Sequence, residues 1–102
     1  MPTPVSIVAR QGYAHLVPAA DTLVREALHL LEQMGPHIAE EELEVERRLR
    51  LTTKSKVQLQ LEVLLEDSSL LRCAQRFYRM LRKIGRFRAD HPQVRILNLP
   101  WE

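Results

Sequence analysis

Positively charged residues recur at helical spacing in the last third of the chain. Five of them follow one another in steps of three or four residues: Arg72, Arg76, Arg79, Lys83 and Arg86. Arg82 lies beside this series and Arg88 lies just beyond it. Because residues three and four apart share one face of an α-helix, the series predicts a basic stripe that can line up with phosphate groups. Nucleic-acid binding through this stripe is therefore one candidate function.

The same stripe has an alternative interpretation as a solvated helix face. Asp21, Glu26 and Glu32 lie on another predicted helix and supply carboxylates that can pair with it. Exposed pairs of this kind contribute only about 0–1 kcal/mol each. Aromatic residues are scarce and none lies on the predicted central strands, so the stacking platform of an RNA-recognition domain is missing. We therefore favour the solvated face and keep nucleic-acid binding as the alternative function.

A loop ahead of the first predicted helix contains the candidate ligand-binding residues Gly12, Tyr13 and His15. Glycine allows the backbone to approach a small molecule closely, and the helix N-terminus that follows favours an anion. We therefore predict that any small ligand binds at residues 10–15.

The other nucleophilic and metal-ligating residues form no recognisable motif. His15, His29, His37 and His91 lack the spacing of a helical metal site, and Cys73 is the single cysteine. Cys73 falls near the apolar side of its predicted helix, where a thiol acts as a small hydrophobe. We therefore predict a non-enzymatic protein with no catalytic residue, no metal and no cofactor.

Composition is ordinary for a globular protein. With 102 residues the chain is long enough for one domain, which we place over residues 1–102. Hydrophobic residues make up 45% and charged residues 27%, which is too apolar for a disordered chain. Apolar runs are short, so we expect no membrane partner. A single cysteine and the lack of an apparent secretory signal predict a cytoplasmic protein.

Apolar spacing and turn residues predict the outer elements of the fold. Alternating residues predict a short strand over residues 4–9, and helical spacing predicts a helix over about 19–34 that ends at Gly35-Pro36. Asp67-Ser68-Ser69 provides a cap for a helix that runs to about Ile84. Residues 94–99 predict a final strand.

The middle of the chain alternates between apolar and polar residues. From Leu43 to Val63 every apolar residue has an odd number, and Leu65 continues the series: Leu43, Val45, Leu49, Leu51, Val57, Leu59, Leu61, Val63 and Leu65. Successive side chains of a strand point to opposite faces, so the pattern predicts a two-stranded ribbon with one greasy face. Pairing Leu51 with Val57 leaves a five-residue loop, which is an acceptable hairpin length.

The element order is then strand, helix, strand, strand, helix, strand. This order predicts an α+β, ferredoxin-like βαββαβ sandwich, in which a four-stranded antiparallel sheet has two helices on one face and the terminal strands pair. An all-α helical bundle is the alternative, because residues 37–66 are rich in good helix formers and can form one long helix.

The bare polar face of such a sheet suits association with a second copy. We therefore predict a regulatory or assembly module that acts through sheet-mediated dimerisation or partner binding. Binding of a small ligand near the first strand–helix loop would fit a sensing role. Nucleic-acid binding through the basic stripe remains the alternative.

Overall fold

Helices dominate the structure, a computed structural model that describes residues 4–102. The three α-helices are α1 (Val17–Leu49), α2 (Lys56–Glu66) and α3 (Ser68–Asp90). Two strands, β1 (Ser6–Ala9) and β2 (Val94–Leu97), flank them, and a 3-10 turn over Ala14–Leu16 precedes α1. The described residues contain only these two strands. The predicted four-stranded ferredoxin-like sandwich is therefore wrong, and so is the purely helical alternative.

The terminal strands pair with each other, as predicted. β1 and β2 are antiparallel, with Ser6 opposite Leu97 and Ala9 opposite Val94. Along β2, Val94 and Ile96 are buried while Arg95 is exposed. This alternation is the period of a strand that covers a core with one face.

The predicted central ribbon is helical, and the reason lies in the spacing of its apolar residues. A series at every second position also contains two series at every fourth position. Val45 and Leu49 on α1, with Leu59 and Val63 on α2, form one such set, and they pack together as a hydrophobic cluster. The remaining apolar residues face away from this cluster, because residues two apart on an α-helix differ by about 200° in direction. Alternation alone therefore did not distinguish a strand from a two-sided helix.

Local signals also favour helix in this segment. Glu, Leu, Gln, Lys and Arg, which are good helix formers, fill most of it. Ser55 and Gln58 form a reciprocal capping box: the Ser55 hydroxyl accepts from the Gln58 N–H, and the Gln58 side chain accepts from the Ser55 N–H. Residues 50–55, which are polar apart from Leu51, thus separate α1 from α2, close to the position where a hairpin loop was predicted.

Helix α1 continues past Gly35-Pro36, where the sequence predicted its end. A residue before proline is normally pushed out of the helical region because its Cβ meets the proline ring. Gly35 has no Cβ, which removes this part of the clash, and the helix continues through Pro36. The cost is the backbone hydrogen bond that the missing Pro36 N–H would have donated.

The chain divides into two compact units, each defined by contacts among its own residues. The terminal unit comprises the chain up to Ala27 and from Arg79 onward, and the central unit is Leu28–Tyr78. The single-domain prediction stays a prediction.

The terminal unit contains both strands and its own buried residues. These buried side chains come from α1, α3, β2 and the tail: Ala20, Val24, Ala27, Met80, Ile84, Val94, Ile96 and Leu99. Arg88 at the end of α3 donates to the backbone carbonyl of Ile96 at 2.9 Å and makes a bidentate pair with the Glu102 carboxylate. This arginine therefore ties the C-terminal segment to α3.

Because the middle segment is helical, Leu59 and Leu61 lie on different sides of α2. In the predicted ribbon both would lie on the same, buried face. Leu59 is 2% exposed and Leu61 is 56% exposed. We expect Leu59→Ala to lower the free energy of unfolding by about 2–5 kcal/mol. Leu61→Ala should lower it by less than about 1 kcal/mol. Urea denaturation at low protein concentration measures both, and equal losses would contradict the helical arrangement.

Helix α3 passes through Gly85 to Asp90, beyond its predicted end at Ile84. Gly85 does not have a positive φ, and a Cβ built on it meets nothing within 4 Å. Alanine is favoured over glycine inside a helix, so Gly85→Ala should raise the free energy of unfolding by about 0.5–1 kcal/mol. Thermal denaturation measures this gain, and a loss would show that the helix stops at this residue.

Candidate functional site

One face of α2 presents an uncovered row of large apolar side chains. Val57, Leu61 and Leu65 are 64%, 56% and 71% exposed. They are four residues apart, so they follow one face of the helix over about 12 Å. We call these three residues the α2 apolar face. Helices of globular proteins usually turn such a row toward a core, so this one is the candidate functional site.

The opposite side of α2 is already used within the central unit. Leu59 and Val63 are buried against Val45 of α1, with Leu49 packed at the edge of the cluster. Helix α2 therefore has two apolar faces, of which only one is satisfied inside the chain. Rotating α2 to bury the other face would expose Leu59 and Val63, so the conflict remains in either orientation.

Ion pairs hold α2 in this orientation. The Arg48 guanidinium donates to both oxygens of Glu66, at 3.1 and 2.7 Å, and to Glu44 at 2.9 Å. Lys54 donates to Glu62 at 2.6 Å. These contacts join the end of α1 and the following loop to α2. They fix which side of α2 faces outward.

The carboxylates in this network are strongly biased toward their charged form. Hydrogen bonds from Arg47, and then from Arg48, lower the pKa of Glu44 to about 2. The Arg48 hydrogen bond likewise lowers the pKa of Glu66. The stabilisation from Glu44 is therefore present above its ordinary pKa and is lost as pH falls toward 2.

The junction of α2 and α3 contains a second, weaker electrostatic cluster. Asp67 accepts a hydrogen bond from the Leu70 N–H at 3.0 Å, which caps α3 and lowers the pKa of Asp67. Two effects raise the pKa of Glu41: its partial burial, which is the larger effect, and its hydrogen bond with Asp67. His37 Nδ1 lies 3.6 Å from Asp67 Oδ2. The pKa values of these two neighbouring carboxyl groups are therefore shifted in opposite directions, upward for Glu41 and downward for Asp67.

A groove in the central unit runs beside α2. Its volume is about 390 Å³, and its lining includes the apolar Ile38 and Leu64 together with the charged Glu42, Glu46 and Lys56. Leu64 is half-buried and precedes Leu65 of the α2 apolar face. The apolar surface of α2 therefore extends toward the groove.

The predicted ligand-binding residues Gly12, Tyr13 and His15 lie in the terminal unit. Gly12 has a φ of 90°, a conformation that favours glycine, and the Tyr13 N–H donates to the Arg10 carbonyl to close the turn. His15 is exposed in the 3-10 turn. A neighbouring depression is lined by residues 8–10, 92, 93 and 95, which do not include these three. Ligand binding by this loop stays a prediction.

All five residues of the predicted basic stripe are exposed on α3: Arg72, Arg76, Arg79, Lys83 and Arg86. The first two belong to the central unit and the other three to the terminal unit. Arg88 does not belong to this exposed set, because its guanidinium pairs with the Glu102 carboxylate. Among residues 4–102 no salt bridge joins the stripe to an acidic residue, and Asp21 pairs with Arg25 of its own helix at 2.8 Å. The expected pairing with α1 is therefore not seen.

Residues 4–102 contain neither a metal-binding cluster nor a membrane-spanning helix. No cluster of three or more His, Cys, Asp or Glu side chains there has an arrangement that would hold a metal ion. None of the helices in that range combines the length and the apolar character needed to cross a membrane.

Sequence reasoning missed the α2 apolar face because it assigned those leucines to the core side of a ribbon. The four-residue spacing of Val57, Leu61 and Leu65 was the available signal. Comparisons with protein-family models, curated proteins and solved structures find no match to this chain. The functional argument therefore depends on the surfaces themselves.

The raised pKa of Glu41 gives a testable pH dependence. A raised carboxyl pKa contributes stability below the ordinary value of 4.5, and this contribution is lost as pH rises through the folded-state pKa. Glu41→Gln is neutral at every pH and can donate to Asp67. We therefore expect the difference in melting temperature, variant minus parent, to be more positive at pH 7 than at pH 4.

Thermal unfolding at the two pH values measures this difference. Glu42→Gln is the matched control, because Glu42 is exposed and adjacent in sequence. An equal pH dependence in both variants would show that Glu41 has no special environment.

Proposed function

We propose that this protein is a non-enzymatic assembly module that forms a homodimer through the α2 apolar face. The observation that supports the proposal is the exposure of Val57, Leu61 and Leu65 in one row on a helix whose other side is already packed. Burial of a large aliphatic side chain is worth about 1.5–3 kcal/mol, which three such residues in each copy would gain together. Association through a helix replaces the sheet-mediated mechanism, because residues 56–66 are helical.

A second copy is the partner that the spacing of the α2 apolar face favours. Two copies packed antiparallel about Leu61 place Leu61 against its own equivalent and Val57 against Leu65. The same three side chains then cover one another in both copies, as a two-fold interface requires.

The expected dimer is weak. Stable interfaces bury about 800 Å² on each partner, and three side chains on an 11-residue helix supply only part of that area. Association also costs translational and rotational freedom, so only the surplus appears as affinity. We therefore place the monomer–dimer transition at tens of micromolar protein.

The proposed compartment of the protein is the cytoplasm. The single cysteine supports this compartment, because the cytoplasm is reducing and disulfides are rare there.

Leu61→Glu tests this interface. At the two-fold position the substitution places two carboxylates against each other in an apolar contact, and it should abolish dimerisation. Because Leu61 is exposed in the monomer, the fold should be retained, with an unchanged far-ultraviolet circular dichroism spectrum. Sedimentation equilibrium from low micromolar to about 200 µM measures the association, a range that spans the expected transition.

Leu43→Glu is the matched control, since Leu43 is 68% exposed on α1 and undergoes the same change of chemistry. It should dimerise like the parent. A parent that stays monomeric throughout the concentration range would contradict the proposal. An equal loss of association in both variants would show that general surface hydrophobicity, and not the α2 apolar face, drives association.

A further inference from the structure

Charge is strongly segregated along this chain. Helix α3 contains seven basic residues and one acidic residue, Asp90, which lies at its C-terminal end. The remaining sequence contains eight basic and twelve acidic residues. A net charge of +2 therefore conceals a cationic helix in an otherwise anionic protein.

The cations of α3 in the terminal unit share one face. Arg79, Lys83 and Arg86 are all exposed and are separated by four and three residues. This spacing gives about one cation per helical turn, within about 40° of a common direction. Arg82 is also exposed, at the edge of this group. From Ser68 to Ala89 the helix has no carboxylate that could neutralise the face.

Three of the six arginines outside α3 are paired, whereas no salt bridge within residues 4–102 engages Arg10, Arg50 or Arg95. Arg25 pairs with Asp21, Arg48 pairs with Glu44 and Glu66, and Arg88 pairs with Glu102. Within residues 4–102, by contrast, no salt bridge engages Arg79, Lys83 or Arg86. Several exposed cations that lack internal partners are the electrostatic footprint of a polyanion-binding surface.

We propose that this face of α3 binds the phosphate backbone of double-stranded nucleic acid. A membrane-surface helix needs an apolar side that enters the lipid, but Met80 and Ile84 on the apolar side of α3 are buried in the terminal unit. Single-stranded binding relies on aromatic platforms, and the series Arg79, Lys83, Arg86 has no aromatic residue within it on the same face. A row of cations alone suits a regular row of phosphates, and binding is independent of base sequence.

The test compares two triple variants with the same change in net charge. The first is Arg79→Gln, Lys83→Gln, Arg86→Gln, which removes the three cations of the face. The control is Arg10→Gln, Arg25→Gln, Arg50→Gln, which removes three exposed cations outside α3. Fluorescence anisotropy with a 20-base-pair DNA duplex of arbitrary sequence measures binding at increasing salt, and circular dichroism verifies the fold.

Each phosphate contact contributes about −0.9 to the slope of log K against log salt, so three contacts weaken binding at least about 40-fold between 50 and 200 mM salt. The face variant should reduce the magnitude of this slope by about 2.7, whereas the control keeps the parent slope to within about one contact.

Four results would overturn the proposal. The first is that the parent protein shows no duplex binding at 50 mM salt. The second is an equal loss of affinity in the two triple variants, which would reflect net charge alone. The third is a face variant that loses self-association but not duplex binding, which would assign the face to the acidic segment of a second copy, such as Glu40–Glu42. The fourth is binding of anionic vesicles without binding of the duplex, which would assign the face to a lipid surface.

Discussion

The geometry of the α-helix allows only one of the two apolar rows of α2 to be covered within the central unit. Residues four apart share a face, so α2 can turn only one of its two apolar rows toward α1. Leu59 and Val63 occupy that contact, and the pairs from Arg48 and Lys54 fix it. Val57, Leu61 and Leu65 consequently remain in water, where they cost free energy unless another surface covers them. The proposed dimer follows from this constraint.

The two proposed surfaces differ in chemistry because the protein distributes its carboxylates unevenly. Glu44, Glu62 and Glu66 lie on α1 and α2, where they form ion pairs with Arg47, Arg48 and Lys54. Helix α3 has no carboxylate before Asp90, and within residues 4–102 no salt bridge engages Arg79, Lys83 or Arg86. One surface therefore suits apolar association, and the other suits a polyanion. Each arises from a different part of the chain and can be tested without the other.

Sequence reasoning succeeded where one local signal was unopposed. The β1 and β2 strands, their pairing, and the cap of α3 at Asp67 were all predicted. It failed at Gly35-Pro36, because glycine can end a helix or can relieve the clash that proline imposes. Sequence reasoning failed again over residues 43–65. There the alternating apolar residues also form two rows at four-residue spacing, which suits an α-helix as well as a strand. The α2 apolar face was missed for the same reason.

The sequence by itself determined that the chain turns near residues 52–56, that α3 is amphipathic and that α3 has an excess of cations. These properties depend on residue types and on short-range spacing, which the chain carries in any fold. Only the tertiary structure decided which apolar row of α2 is buried and whether the α3 cations meet carboxylates. Both outcomes depend on which elements touch, and contact between distant residues leaves no local pattern when several arrangements bury similar apolar area.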